Sequence, residues 1–227
     1  MHSGGTVTSA QFAKCRSRAE RLERQRRSLR RKVAPAFLPP SGYFERATLS
    51  SFRLDGLSLA EADVTQALGG GRTSRACRTT TAQRVRNHVA ILKHLERCLR
   101  RGRLISPGDV LRWYTSVAGG LSSGAIDEQA AARVGQIVSR VNSPHLRLWP
   151  AVQEVAALHV RLLEDPFVPG FNGILARLIL RYHLGRCGLP PVVFDPEQDA
   201  GVLRDPKLFL PRLIELLEAG VAGSAAK

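Results

Sequence analysis

Long apolar runs, acidic side chains and paired cysteines are all scarce in this chain of 227 residues. No stretch approaches the roughly 20 consecutive apolar residues needed to span a bilayer, so no membrane-spanning helix is expected. The basic N-terminal stretch has no apolar core behind it of the kind a secretory signal carries, and a cytoplasmic location is expected. The four cysteines, Cys15, Cys77, Cys98 and Cys187, lie far apart and form no Cys-x-x-Cys pair. That spacing argues against a zinc site or a disulfide framework and for reduced thiols. No segment alternates apolar and polar residues long enough to argue for a sheet, and no internal repeat is visible. Acids number 19 against 34 Lys plus Arg, a formal charge of +15. Such a deficit favours anionic partners: nucleic acid, acidic proteins or nucleotides.

What the chain does contain is helical periodicity and enough apolar residues, 44%, to bury a core. The length suits one domain with an extension, and three stretches are expected: a basic arm and Pro-rich linker over 1–41, a helical body over 42–220, and a flexible tail over 221–227. Ten Lys or Arg residues fall between Lys14 and Lys32. Phe12, Leu22 and Leu29 make no continuous stripe there, so a solvated basic helix or a disordered arm is expected. It reads either as an electrostatic tether for a polyanion such as nucleic acid or as a solubilising tail, and no interleaved aromatics mark a base-reading surface.

In the body, Tyr43 to Ser51 reads as a short helix, and Ser58 with Glu61 as a capping box opening a second. Thr81 to Arg101 carries Val85, Val89, Leu92, Leu95 and Leu99 at helical spacing. Ser106-Pro107 opens another helix. Ile126 to Val141 fits either one helix or a helix followed by an extended flap over Gln136 to Val141. Helices are also read over Ala151–Leu163, Ile174–Arg186 and Pro206–Ala219. Ile174–Arg186 is the most apolar and is expected at the centre.

The densest signal lies between Ala156 and Pro191: helix, glycine-bearing loop, helix. Gly170, Asn172 and Gly173 lead into a helix N-terminus, where free N–H groups and the helix dipole suit a phosphate. This stretch resembles the Fic (fido) family, whose motif His-Pro-Phe-x-Asp/Glu-Gly-Asn-Gly-Arg-x-x-Arg joins two helices. Pro166, Phe167, Gly170, Asn172, Gly173 and Arg177 match that motif. Asp165 stands where the family has its catalytic His, Pro169 at the metal-binding acid, and Ile174 at the first Arg; Phe171 is an additional residue. Upstream, Ser51, Asp55 and Gly56 resemble the family's inhibitory motif Ser/Thr-x-x-x-Glu-Gly/Asn. The resemblance implies that Asp55 faces Arg177.

The resemblance implies an all-α Fic-type domain, possessing or lacking a short β-hairpin flap. Active relatives transfer nucleotide monophosphates or similar phosphate-bearing groups onto protein hydroxyls. A carboxylate in place of the His is a weak base near neutral pH. A proline offers no oxygen for magnesium, so magnesium is not expected, while ATP or another nucleotide remains the candidate ligand. The bulky Phe171 is expected to fill the pocket with its ring. Three functions follow: a Fic-like protein that binds a nucleotide or a protein with little or no adenylylation; an active, divergent transferase moving AMP or another phosphate-bearing group; or a nucleic-acid-associated or toxin–antitoxin-type partner acting through residues 14–32.

Overall fold

The computed structural model describes residues 9–30, 39–69, 80–118, 128–143, 147–165 and 170–225, and these are all-helical. The helices are α1 (Ser9–Arg30), α2 (Tyr43–Leu54), α3 (Glu61–Leu68), α4 (Thr80–Arg100), α5 (Pro107–Ala118), α6 (Glu128–Asn142), α7 (Leu148–Glu164), α8 (Asn172–Arg186), the single turn α9 (Pro196–Asp199) and α10 (Pro206–Ala225). None of them is long and apolar enough to cross a membrane.

Helix α8 is the axle. Every residue from Ile174 to Leu184 is buried, which is why its sequence shows no polar stripe. On one side Ile174, Leu175, Leu178, Ile179 and Tyr182 join a core supplied by α2 to α6. On the other, Leu180 and Leu184 join a second core built with α1, α7 and α10. Helix α7 serves both, giving Leu158 and Leu162 to the first and Val155, Ala156 and Val160 to the second.

Four expectations are corrected. The candidate flap over Gln136 to Val141 lies within helix α6, because Val134, Ile137, Val138 and Val141 recur at helical spacing and all are buried. The capping box at Ser58 is displaced: α3 starts at Glu61, and the Asp63 carboxylate accepts the Ala60 N–H at 2.8 Å. The basic segment is not solvated on all sides. Helix α1 buries Cys15, Ala19 and Leu22 against α7 and α10, and Arg18 pairs with Glu218 at 2.5 Å. Cys15, Ala19 and Leu22 follow an i, i+4, i+7 pattern, a narrow stripe masked by the surrounding arginines. Finally, α10 runs to Ala225 with Val221 buried, where a flexible tail was expected from 221. Most of the Pro-rich linker, residues 31–38, lies outside the described residues.

Candidate anion-binding site

The site forms where the C-terminus of α2 meets the N-terminus of α8. Helix α2 ends in a Schellman motif: Gly56 N–H donates to Arg53 O at 3.0 Å and Leu57 N–H to Phe52 O at 3.0 Å. The motif needs a left-handed residue, and Gly56 supplies it with φ +78°. The turn leaves Asp55 as the last residue of the helix end, with its carboxylate directed at α8. The Asp-Gly pair is thus an ordinary helix stop that also aims an acid.

Asp55 takes two partners on α8. Its Oδ1 accepts from Arg177 Nη2 at 2.5 Å, and its Oδ2 accepts the backbone N–H of Ile174 at 3.1 Å. Arg177 is held further by Ser51: Nε donates to Oγ at 2.8 Å and Nη2 to the carbonyl oxygen at 2.7 Å. The pair is shielded, with 8% and 15% of the Arg177 and Asp55 side chains exposed. Burial pulls Arg177 below the usual arginine range, and the Asp55 charge opposes that shift. A Cβ placed on Gly173 would come within 2.1 Å of Asp55 Oδ1, so only glycine admits the carboxylate this close to the helix end.

Behind the pair lies a cavity of about 30 Å³ bordered by Tyr43, Ser50, Ser51, His88, Arg177 and Arg181. It is large enough for a single water. His88 Nδ1 lies 2.9 Å from Thr48 Oγ1, and burial drives its pKa down to about 3. Arg181 bonds Glu96, and both are buried. Sequence reasoning missed Glu96 and Arg181. The available signal was a lone acid inside the apolar stripe Leu92–Leu95–Leu99 of α4.

The approach to α8 is left-handed twice over, at Gly170 (φ +63°) and Phe171 (φ +54°). A Cβ on Gly170 would meet nothing within 4 Å, so its glycine answers to backbone conformation rather than to space. Asn172 Nδ2 donates to Gly170 O at 3.4 Å, holding the loop on itself. Phe171 does not fill the cradle, which Asp55 occupies. Its half-buried ring packs on the first core, with the Arg84 guanidinium 4.9 Å from its centroid.

Asp165 caps the C-terminus of α7 and is 64% exposed, bonded to Arg133 Nη1 at 3.0 Å. No hydrogen bond or ion pair joins it to Ser51, Asp55 or Arg177 among the described residues. Pro166 to Pro169 lie outside the described residues. His159 is buried: its ring stacks on Phe209 with centroids 4.6 Å apart, and burial drives its pKa down to about 3.

As a sequence, the chain matches no family model and no curated protein. Solved structures resemble it over nearly its whole length. Fic-1 from C. elegans aligns over 95% of this chain and 73% of its own, with TM-score 0.71 and 21% identity. The chain has the fold of a Fic domain. A Fic domain-containing signaling protein from Bacteroides thetaiotaomicron aligns over 91% of this chain and 95% of its own (TM-score 0.66, 17% identity). A Fic family protein from Desulfovibrio desulfuricans aligns over all of this chain and 77% of its own (TM-score 0.63, 15% identity). These identities carry the fold and leave the chemistry to the residues themselves.

Proposed function

We propose that this chain is a Fic-like binding protein whose α8 anion site accepts the phosphates of a nucleotide, and that it transfers AMP weakly or not at all. One observation carries the reading. A carboxylate, Asp55, sits on the Ile174 N–H and the Arg177 guanidinium, the two donors a phosphate would use. Gly173 leaves the helix end open to an oxyanion, and Arg177 offers a planar fork. These residues fit a nucleotide phosphate once Asp55 moves away. In this reading Ser51, Asp55 and Gly56 form an inhibitory element, while Gly170, Asn172, Gly173 and Arg177 form the phosphate cradle.

Among the described residues no histidine contacts Asp55, and Asp165 stands where the family has its base. Asp165 is exposed and its carboxylate is engaged by the Arg133 guanidinium at 3.0 Å, with no contact to Ser51, Asp55 or Arg177 among the described residues. Pro169, at the family's metal-binding position, carries no oxygen ligand on its side chain. The resemblance supplies the reaction to test: incubation with radiolabelled ATP, magnesium and a cell lysate, using wild-type protein, Asp55→Ala, Asp165→Ala and Asp55→Ala/Asp165→His. No label is expected on protein with the first two. Label with wild-type protein that disappears in Asp165→Ala would overturn the binding reading in favour of an active transferase.

A further inference from the structure

We propose that the outer face of the α4–α5 helical hairpin binds the phosphate backbone of double-stranded nucleic acid, without reading its sequence. The face is defined by what is missing from it. From residue 80 to residue 118 the only acids are Glu96 and Asp109. Both are buried, at 4% and 2% exposure, and both are already paired: Glu96 with Arg181, Asp109 with Arg103 and Arg112. No acid therefore reaches the surface of this hairpin.

The cations do. Lys93, Arg97, Arg100, Arg101, Arg103 and Arg112 are all exposed. Arg97, Arg100 and Arg101 make no ion pair among the described residues. Lys93 and Arg97 stand four positions apart on one side of α4, and Arg101 follows at the same spacing just past its C-terminus. Eight residues of helix rise about 12 Å, the axial length of three to four base pairs of duplex. Beside them, Arg103 and Arg112, each sharing the Asp109 carboxylate, border a groove of about 440 Å³ that Asp109 also lines and that presents Asn87 and Ser116, so the unpaired cations of α4 and its C-terminal end carry the phosphate contacts.

The chemistry of the face selects its partner. Arginine forks match phosphate geometry, and five of the six cations are arginine. Trp113, on the groove floor, is only 4% exposed, so no aromatic ring is available to stack an unpaired base. Leu104 is the one large apolar side chain exposed here, too little for the anchors of a protein interface. Helix α1, the other basic element, is a weaker rival. Its Arg16 and Arg27 are paired to Glu20 and Glu23 on the helix itself, and Arg18 to Glu218.

The test is fluorescence polarisation of a labelled duplex of about 20 base pairs, titrated with the full chain at several salt concentrations. Three proteins are compared: wild type, Arg97→Gln/Arg100→Gln/Arg101→Gln, and Arg21→Gln/Arg24→Gln on α1. The α4 variant is expected to bind at least about tenfold more weakly, with a salt slope smaller by about 2–3. The α1 variant is expected to stay within twofold of wild type. Lys93→Gln/Arg97→Gln gives an intermediate loss and serves should the triple variant melt early. Equal binding by wild type and both α4 variants would overturn the assignment, as would a loss confined to the α1 variant. Wild-type binding to anionic phospholipid vesicles or to polyglutamate, with none to duplex, would replace nucleic acid by a lipid surface or an acidic protein.

Discussion

Asp55 Oδ1 lies 2.5 Å from Arg177 Nη2 across 122 positions of sequence, and the same carboxylate accepts the Ile174 N–H. One acid thus neutralises the N-terminal dipole of α8 and its first guanidinium together. Removing it leaves Arg177 buried with only Ser51 as partner. Asp55→Ala is expected to cost about 2–4 kcal/mol, the scale for breaking a shielded pair, and Asp55→Asn less. Urea unfolding of both variants checks this; a loss under about 0.5 kcal/mol for Asp55→Ala would show that the pair is as weak as an exposed one. Gly173→Ala supplies an independent arm. Its Cβ would collide with Asp55 Oδ1, so its cost should shrink in an Asp55→Ala background, and additive losses would place the two groups apart.

Acid should weaken the fold through its buried histidines. His88 and His159 have pKa values pushed down to about 3, against an ordinary value near 6.5. Between those values the unfolded chain binds more protons than the folded one, so stability falls as pH falls. The contribution is fully present above about pH 6.5 and is lost as pH drops toward 3. Each histidine should forfeit roughly 1–2 kcal/mol between pH 6.5 and 5. Asp109, held down at about 2 chiefly by its Ser106 and arginine partners against burial, acts in the same direction below pH 4. Urea midpoints that stay level from pH 7 to 5, or a His88→Gln variant with wild-type pH dependence, would contradict this.

Helix α1 should behave as part of the body. Leu22 is fully buried against α7 and α10. Leu22→Ala is expected to cost about 2–4 kcal/mol. A calorimetric melting temperature unchanged by Leu22→Ala would restore the picture of a free basic arm.

The sequence disclosed the architecture wherever burial is one-sided. Val85, Val89, Leu92, Leu95 and Leu99 mark α4 because one face meets the core and the other meets water. It also disclosed α8, whose apolar residues fall on every side of the helix, as befits one enclosed all round. Three short apolar residues among ten cations hid the docked face of α1, since charge on the solvent side says nothing about the side that packs. Of the two readings of Ile126 to Val141, a single helix or a helix and a flap, the fold takes the helix over Glu128–Asn142, where burial holds the β-branched pair Ile137-Val138 helical. At the site, the spacing of Ser51, Asp55 and Gly56 and the position of Arg177 pointed to a contact that the fold makes. What no spacing could disclose is the Ile174 N–H, a backbone donor that any residue there would supply, or the buried Glu96–Arg181 pair, whose partners lie 85 positions apart.

The central claim is that Asp55 occupies the phosphate position of a nucleotide-binding cradle. Isothermal titration of ATP into wild-type protein, Asp55→Ala and Asp55→Ala/Arg177→Ala, with urea unfolding confirming that each is folded, tests it most directly. The account predicts weak or undetectable heat with wild type, binding at least about tenfold tighter with Asp55→Ala, a gain of about 1.4 kcal/mol, and loss of that gain when Arg177 is also removed. Equal affinity for ATP in wild type and folded Asp55→Ala would contradict it.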